Sequence, residues 1–325
     1  MRLAWFAPDG DTAGAAALRA ALRSSHHIDE IDARAAHEFI WRHARDPYDL
    51  CVYELDDTPA HQFVWAYLVH YPGVTRLHRV TLQTSRADAL ERDQRLDDFA
   101  REFAFSHPGA AAPVARAMRR IAPGAWPMLA VPLLASRITV VAHEAVAETL
   151  RAEYPAAHVR AVTPGVQPRE NPGDAIVMAA HWPVHGAPLV DALAGFAAGR
   201  AVVVFDGPET ADWPSLNPQD WQPRSSVPPI CVAIDPHDEG HSRRAAMTRL
   251  EKDAALRAVL GEAARRWWQA HATVERAAAA LDGVLQDAAK IGNPARPEGW
   301  PSHLSADGLG RAREVVGQFG LELPF

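Results

Sequence analysis

The apolar positions in the first half of the chain alternate between short strand-like runs and helical patterns. Strands are predicted at residues 2–7, 26–32, 48–55, 73–78, 137–143 and 158–165. Helices are predicted between them at residues 12–24, 34–44, 60–71 and 144–154, and residues 86–135 are predicted to be largely helical with breaks at prolines. This alternation predicts a parallel, doubly wound sheet with helices on both faces.

The second half begins after PGVQPRENPGD at residues 164–174, a stretch whose prolines and glycines predict a linker and a domain boundary. About three strands are predicted beyond it, at 175–180, 200–206 and 228–235, and helices at 188–198, 239–252, 254–270, 273–289 and 305–318. We therefore predict an N-terminal α/β domain over 1–165, a linker over 166–174, a small α/β domain over 175–290 and an extension over 291–325.

One segment of the second domain is arranged like an anion-binding motif. Residues 185–207, HGAPLVDALAGFAAGRAVVVFDG, predict a loop, an apolar helix, a glycine turn and a buried strand. This order points a helix N-terminus into a crevice, where backbone N–H groups and the helix dipole favour an anion. The loop before the helix contains no acidic residue, Lys or Arg. The segment is therefore either a ligand site or the remnant of one.

Composition narrows the classes of function. The chain has 325 residues and 48% hydrophobic content, enough for one large or two ordinary domains with cores. Its net charge of −7 argues against a general nucleic-acid binder, which needs a basic surface. The N-terminus turns acidic too early for a signal peptide, and no apolar run approaches the roughly 18–20 residues of a membrane span. We expect a cytoplasmic protein without a transmembrane segment.

Signals for metal or nucleophilic chemistry are weak. Cys51 and Cys231 lie in apolar runs and are predicted to be buried thiols in a reducing compartment. The histidines of HEFIWRH are six residues apart rather than four, and HDEGH opens a helix after a proline, which is typical of solvated surface. The chain has no G-x-S-x-G nucleophile elbow. We expect no metal and no cofactor.

The loop after the first strand contributes Asp9, Gly10 and Gly14 as candidate site residues. Glycines there let a ligand approach the backbone N–H groups at the start of the next helix, and an aspartate can accept a hydrogen bond from a sugar hydroxyl. The spacing is neither the G-x-G-x-x-G fingerprint nor a P-loop. An ordinary strand-to-helix turn explains it equally well.

Polar residues cluster more densely around the strands predicted at 48–55 and 73–78. Asp56 and Asp57 follow the first of these strands, His61 opens the next helix, and His78 ends the second strand. Ligands of α/β proteins bind at the carboxyl ends of such strands. Two histidines and two acids at one edge can do acid–base work or bind hydroxyls. Helix capping and loop polarity are the alternative interpretation.

Residues 48–83, YDLCVYELDDTPAHQFVWAYLVHYPGVTRLHRVTLQ, resemble the N-domain signature of bacterial GT-B glycosyltransferases of the large retaining group. In that group a strand "yDl.vy.lGN" precedes "H.f.y.ll..hPGvvvLHD", and His61 and His78 match its two histidines. Similar segments follow in order, ITVVAHEAVAETLRAEYPAAHVRAVTPGV and LAGFAAGRAVVVFDGPETADWP among them. The resemblance, to a family 4-like glycosyltransferase, covers most of the chain.

The resemblance implies two Rossmann-like domains with parallel sheets that face each other across a cleft, with the extension returning a helix to the N-domain. It implies a nucleotide-sugar donor on the C-domain and an acceptor on the N-domain, without a metal. By position, His78 would be the catalytic group nearest the reacting centre. The remaining implied contacts fall into two sets. The acceptor set is Asp9, Gly10, Gly14, Asp56 and His61, and the donor set is Gly186, Ala187, Pro188, Leu189 and Asp191.

Several positions depart from the pattern of this group. Asp56 and Asp57 replace its Gly-Asn, and Arg79 replaces the Asp after its second histidine. Only residues 167–174 separate VTPGV from AIVMAA, where the group has further strands and helices and the basic pair that neutralises the donor diphosphate. The group's donor-loop Glu falls at Gly186 or Ala187. The resemblance therefore implies a shortened C-terminal domain.

Two functions remain open. The first is transfer of a sugar from a nucleotide donor to a carbohydrate or small-molecule acceptor. The second is that of a catalytically inactive homologue acting as a partner or regulatory subunit, because a shortened sheet leaves an edge or apolar face that association would cover. The loss of two cations and a carboxylate would weaken donor binding by on the order of 5 kcal/mol.

Overall fold

The computed structural model describes residues 1–9, 13–109, 126–168, 175–179, 189–305 and 317. Its first half forms a parallel sheet whose strands are Arg2–Phe6 (β1), His27–Ile31 (β2), Leu50–Leu55 (β3), Val74–Leu77 (β4), Ile138–Val141 (β5) and Val159–Ala161 (β6). The strand order is β2–β1–β3–β4–β5–β6, and every recorded pairing is parallel. This is the doubly wound sheet that the alternating pattern predicts.

Helices cover both faces of this sheet. Those in the first half are Ala13–Leu22 (α1), Phe39–Arg45 (α2), Val64–His70 (α3), Gln83–Arg92 (α4), Leu96–Ser106 (α5), Ala130–Ala135 (α6) and Glu144–Glu153 (α7). Along β3, Leu50 and Val52 face the cluster that contains α1, whereas Cys51 and Tyr53 face the cluster that contains α3 and α7. Both faces are buried, so the strand is continuously apolar apart from Glu54.

A second parallel sheet follows, with strands Ile176–Met178 (β7), Ala201–Phe205 (β8), Ser215–Leu216 (β9) and Cys231–Ile234 (β10). Its order is β7–β8–β10–β9. Its helices are Val190–Ala197 (α8), Glu239–Lys252 (α9) and Ala254–His271 (α10). One face packs against α8 and the later turns of α10, and the other face packs against α9.

The next helix, Val274–Lys290 (α11), follows the second sheet in the chain but packs against the first. Leu281 and Leu285 are fully buried against α1 and the apolar face of β1 and β3. Asp282 also accepts a hydrogen bond from the buried His26 ring, with 2.5 Å between Oδ1 and Nε2. The chain therefore returns to the first lobe within the stretch predicted for the second domain. The proposed domain limits stay a prediction.

Within the described residues the chain crosses between the lobes twice, after β6 and between α10 and α11, and the two crossings touch. The Val166 N–H donates to the Ala272 carbonyl at 3.0 Å, and the Trp268 indole N–H donates to the Val166 carbonyl at 3.0 Å. Gly165 lies so close to α11 that a Cβ there would be 2.7 Å from the Cα of Val274. The absence of a side chain at Gly165 is what allows this approach.

The described residues between α11 and residue 305 contact the first lobe. The Arg137 guanidinium donates to the Asn293 side chain, with 2.9 Å between Nη2 and Oδ1. The Trp300 ring meets the Phe105 ring edge-on, and His303 lies 2.8 Å from a Glu102 oxygen that also pairs with Arg86. The described part of the predicted extension is therefore docked on α5. The helix predicted at 305–318 lies almost wholly outside the described residues.

Several predicted elements differ from the structure. The fourth strand of the second sheet, β9, was not predicted, because two residues between prolines are too short to show a period. The helix predicted at 60–71 is a 3-10 turn at Pro59–His61 followed by α3, since a proline starts the turn. The helix predicted from residue 86 begins earlier, at Gln83, and residues 110–125 lie outside the described chain.

Both cysteines are buried and free, as predicted. Burial raises the pKa of Cys51 to about 11 and that of Cys231 to about 12. Both thiols therefore stay protonated near neutral pH, and neither is a nucleophile in this state.

We predict that Gly165→Ala lowers the free energy of unfolding by about 1–3 kcal/mol, because the new methyl group overpacks the contact between the crossings. It would meet the Val274 Cα at 2.7 Å and the Thr273 carbonyl oxygen at 3.0 Å. The matched control is Gly283→Ala in α11, where a Cβ meets nothing within 4 Å. That control should stabilise the helix by roughly 0.5–1 kcal/mol. Urea unfolding of both variants tests the prediction, and equal effects would contradict it.

Candidate functional site

A buried carboxylate organises the carboxyl edge of the first sheet. Glu54 lies on β3 with 1% of its surface exposed. Its Oε1 accepts hydrogen bonds from the Trp5 indole at 3.0 Å and from the Arg76 guanidinium at 2.5 Å. Its Oε2 lies 2.6 Å from Nε2 of His78. Glu54 and Arg76 stand opposite each other in the register of β3 and β4, so the sheet itself brings the pair together.

The charges around Glu54 keep it ionised. Burial by itself raises the pKa of this carboxyl. The Arg76 charge and the hydrogen bond from His78 lower the pKa by more than burial raises it, so its value is about 2. The His78 side chain keeps 27% of its surface exposed at the end of β4. Nε2 of His78 faces a permanent acceptor, so a neutral ring carries its proton there and has Nδ1 as its basic atom.

The acids that follow β3 are held by local partners. The Arg79 Nε lies 3.0 Å from Oδ1 of Asp56. Asp56 and Arg79 are both departures from the sequence pattern noted above, and they pair with each other. The Asp57 carboxylate accepts from the Ser85 N–H at 2.7 Å and so caps the first turn of α4. Capping, the alternative interpretation, therefore accounts for Asp57.

The other residues that were predicted to bind an acceptor, as far as the structure describes them, also lie near the carboxyl ends of strands in the first sheet. His61 ends the 3-10 turn at Pro59–His61, and its Nδ1 lies 2.7 Å from Oγ1 of Thr58. Asp9 is exposed, 3.6 Å from the Arg34 guanidinium. Gly14 lies in α1, where a Cβ would meet the Gly165 carbonyl oxygen at 3.6 Å, close to the crossing between lobes. Gly10 lies outside the described residues.

A cavity of about 220 Å³ lies between the lobes. The first lobe lines it with residues 142–144, which follow β5, and with residues that follow β6. The second lobe lines it with Leu193 of α8, Trp267 of α10 and the loop after β8, which contributes Glu209, Asp212 and Trp213. The carboxyl edges of both sheets therefore border one space. β4 pairs with β5, so His78 lies one strand away from His143 in this cavity.

The cavity wall is aromatic and acidic. The rings of Trp213 and Trp267 lie 5.8 Å apart at the second lobe, and Phe196 backs Trp213 at 5.0 Å. Glu209 is buried, and two more carboxylates, those of Glu144 and Asp212, share the wall. Of the described residues that line the cavity, none is Lys or Arg. Indole faces and carboxylates can hold a sugar ring through stacking and hydroxyl hydrogen bonds.

The predicted donor loop is only partly described. Gly186, Ala187 and Pro188 lie outside the described residues. Leu189 immediately precedes α8, and Asp191 is exposed in its first turn. The donor contacts therefore stay a prediction, including any role of Asp191.

Within the described ranges of the chain, no three His, Cys, Asp or Glu side chains come together in a way that could hold a metal ion. None of its described helices is long and apolar enough to cross a membrane.

No protein-family profile matches this chain, and no curated protein matches its sequence. Among solved structures it is similar to the sucrose-phosphate synthase of Thermosynechococcus elongatus. That likeness has a TM-score of 0.54 and 12% identity, and it covers 88% of this chain and 98% of that chain. The chain has the GT-B fold. A second similarity, to the calicheamicin glycosyltransferase CalG4, has a TM-score of 0.36, 13% identity and the same two coverages, and it is too weak to support an argument.

The GT-B fold explains where the cavity lies relative to the two sheets. The two parallel sheets turn their carboxyl edges towards one cleft, and the cavity lies at the end of that cleft next to the crossing residues. The Glu54 network lies on the first-lobe side of the cleft. The Glu54 network and the cavity therefore stand at neighbouring positions along one edge.

Sequence reasoning missed the residues that define this edge most clearly. Glu54 and Arg76 each place one charge inside an apolar strand, CVYEL and VTRL. Charged residues are almost never fully buried unless they are paired, so these two adjacent strands already carried the signal. Glu209 and Trp213 gave no comparable signal, because only the closure of the lobes brings them to the cavity.

We predict that the free energy of unfolding of Glu54→Gln falls less steeply below pH 4.5 than that of the wild type. The folded pKa of about 2 lies below the ordinary value of 4.5, so the stabilisation is present above pH 4.5 and is lost as pH falls towards 2. This difference corresponds to about 3 kcal/mol.

Urea unfolding between pH 7 and pH 2 tests this expectation. The wild type should lose about 3 kcal/mol more than Glu54→Gln over that range. The exposed Glu148→Gln in α7 is the control and should follow the wild-type curve. Parallel curves for the wild type and Glu54→Gln would contradict the assignment.

Proposed function

We propose that this protein is a glycosyltransferase that transfers a sugar from a nucleotide-sugar donor to a carbohydrate or small-molecule acceptor, with His78 as the catalytic base. The observation that carries the proposal is the pair formed by His78 and the buried, ionised Glu54 at the cleft edge of a GT-B fold. A carboxylate on one ring nitrogen orients a histidine and supports its role as a base.

The proposed step needs only groups that the chain and its substrates supply. The acceptor hydroxyl donates to Nδ1 of His78. As the hydroxyl oxygen bonds to the anomeric carbon of the donor, its proton moves to Nδ1 and the nucleoside diphosphate leaves with the electron pair of the broken bond. A direct displacement of this kind inverts the anomeric carbon, so in this respect the proposed step departs from the retaining group that the sequence resembles. The imidazolium that forms is stabilised by Glu54, 2.6 Å from Nε2. Glu54 is thus a positioning residue, and Arg76 keeps it charged.

The interlobe cavity is suited to the sugar part of a substrate. Its volume of about 220 Å³ is below the roughly 300–1,000 Å³ of sites for drug-sized ligands, so it suits one sugar ring better than a whole nucleotide sugar. Glu209 and Asp212 can accept hydrogen bonds from hydroxyls, and Trp213 and Trp267 offer apolar faces to the ring carbons.

A second candidate function is that of an inactive homologue that acts as a partner or regulatory subunit. The acidic cavity wall favours it. A donor diphosphate carries about two negative charges, and without paired cations such charges are costly to bring beside carboxylates. The described lining supplies Glu209, Asp212 and Glu144, of which Glu144 pairs with Arg151 at 2.7 Å, but it includes no Lys or Arg. Membership of glycosyltransferase family 4, the nucleotide-sugar donor and the acceptor are parts of the first proposal, that of an active glycosyltransferase.

We predict that His78→Gln lowers the rate of sugar transfer by about 10²- to 10⁴-fold, the usual contribution of a general base. The glutamine amide can still donate to Glu54, so the free energy of unfolding should change little. The control is His27→Gln, whose ring is 71% exposed on the edge strand β2. Transfer is measured with a panel of nucleotide sugars and acceptors, and an unchanged rate in His78→Gln would refute the role of this residue.

Calorimetric titration with UDP, GDP and their sugars separates the two functions. Saturable binding in the micromolar range is expected for the glycosyltransferase. An absence of heat with every nucleotide at millimolar concentration would refute it and favour the partner or regulatory subunit. In that case we expect a stable complex with another chain in size-exclusion chromatography.

A further inference from the structure

An open groove lies on the outside of the second lobe. It has a volume of about 820 Å³ and runs along α9 to the start of α10. Its wall includes three cations of α9, namely Arg244, Arg249 and Lys252, and the first two residues of α10, Ala254 and Ala255. We call these five residues the basic groove. Helix α9 packs on the face of the second sheet opposite α8, so the basic groove is separate from the cleft.

Two cations of the basic groove lack an intramolecular counter-ion. Within the described ranges, no carboxylate lies within ion-pair distance of Arg244 or Lys252. Other arginines of the same lobe are paired, for example Arg243 with Glu239 at 2.5 Å. Arg249 lies over the Trp221 ring at 4.7 Å and 3.9 Å from the Asp253 carboxylate.

The end of the basic groove supplies backbone donors. Asp253 caps α10 by accepting from the Leu256 N–H at 2.9 Å. The N–H groups of Ala254 and Ala255, in the first turn before Leu256, have no helical acceptor. Helix N-termini favour anions, and here the cations of α9 stand beside one. Asp253 is the carboxylate in this wall, and it is outnumbered by Arg244, Arg249 and Lys252.

We infer that the basic groove is a binding site for a small multivalent oxyanion, of the class formed by pyrophosphate and phosphorylated small molecules. The cations stand on one helix face of a chain whose net charge is −7. The electrostatic potential at this face is therefore positive although the chain as a whole is acidic. Arg244 and Lys252 lie about 12 Å apart along the axis of α9, so their long side chains reach one ligand with at least two negative charges from its two ends. The volume lies in the usual range of small-molecule sites, roughly 300–1,000 Å³. The inference does not depend on the function proposed for the cleft.

Calorimetric titration of the full chain with inorganic pyrophosphate at low ionic strength tests this site. We expect saturable binding of one pyrophosphate, and at least a tenfold rise of Kd in the double variant Arg244→Ala and Lys252→Ala. The control removes two exposed charges from α10 through Arg265→Ala and Arg266→Ala. It should leave Kd within about twofold of wild type. No saturable binding, or an equal loss in the control, would overturn the inference.

The same variants separate this site from the cleft. UDP heat that disappears in the double variant comes from the basic groove, whereas UDP heat that remains comes from the cleft. Inorganic sulfate is the second probe, since it carries two charges on one centre. Pyrophosphate should bind at least tenfold more tightly than sulfate if the groove spans two anionic groups, and equal affinities would overturn that part of the inference.

Discussion

The carboxylate of Glu54 is the interaction on which the functional edge of the first lobe depends. Burying an ionised carboxylate at this depth costs several kcal/mol of folding free energy unless cations and hydrogen-bond donors replace the water that solvates it. Trp5 from β1, Arg76 from β4 and His78 beyond β4 are those partners. One group therefore ties three strands together at the point where they end. The position of the His78 ring follows from it, so the candidate site is built into the sheet rather than added on a loop.

The charge distribution of the second lobe disfavours binding of a negatively charged donor in the cavity. Its carboxylates Glu209 and Asp212 line the cleft cavity, whereas its unpaired cations Arg244 and Lys252 lie on the opposite side of the sheet. Two like charges about 4 Å apart repel by ~4 kcal/mol at an effective dielectric constant near 20. A donor diphosphate beside these carboxylates therefore needs cations from elsewhere, whereas an uncharged sugar ring does not. The cavity and the basic groove thus differ in the charge of the ligand that each one suits.

Most of the fold could be predicted from the sequence, because it depends on local periodicity. The strand β8 is a continuous apolar run, β1 and β3 are apolar apart from one charged residue each, and α9 has the bounds that its pattern predicts. The crossing of α11 to the first lobe could not be predicted from a pattern. An amphipathic helix shows that it has an apolar face but not which sheet covers that face.

The site was predictable only where one strand and its loop define it. His78 and Asp56 follow directly from strand ends, and both lie at the expected edge. The pairing of Glu54 with Arg76 required the order and register of β3 and β4. The cavity required more still, because Trp213 and Trp267 meet residues of the first lobe only after the two lobes are joined.

The joint between the lobes lies directly beside the cavity, and this links stability to the site. The crossing at Gly165 and Val166 is fastened to Ala272 and Val274, and α11 beyond it is packed into the first lobe. Within the described residues, the two lobes are therefore connected through these few contacts. Pro164 immediately precedes the first crossing and lines the cavity itself, so the joint and the cavity share a wall. A substitution that overpacks Gly165 consequently acts at the border of the cavity as well as at the joint.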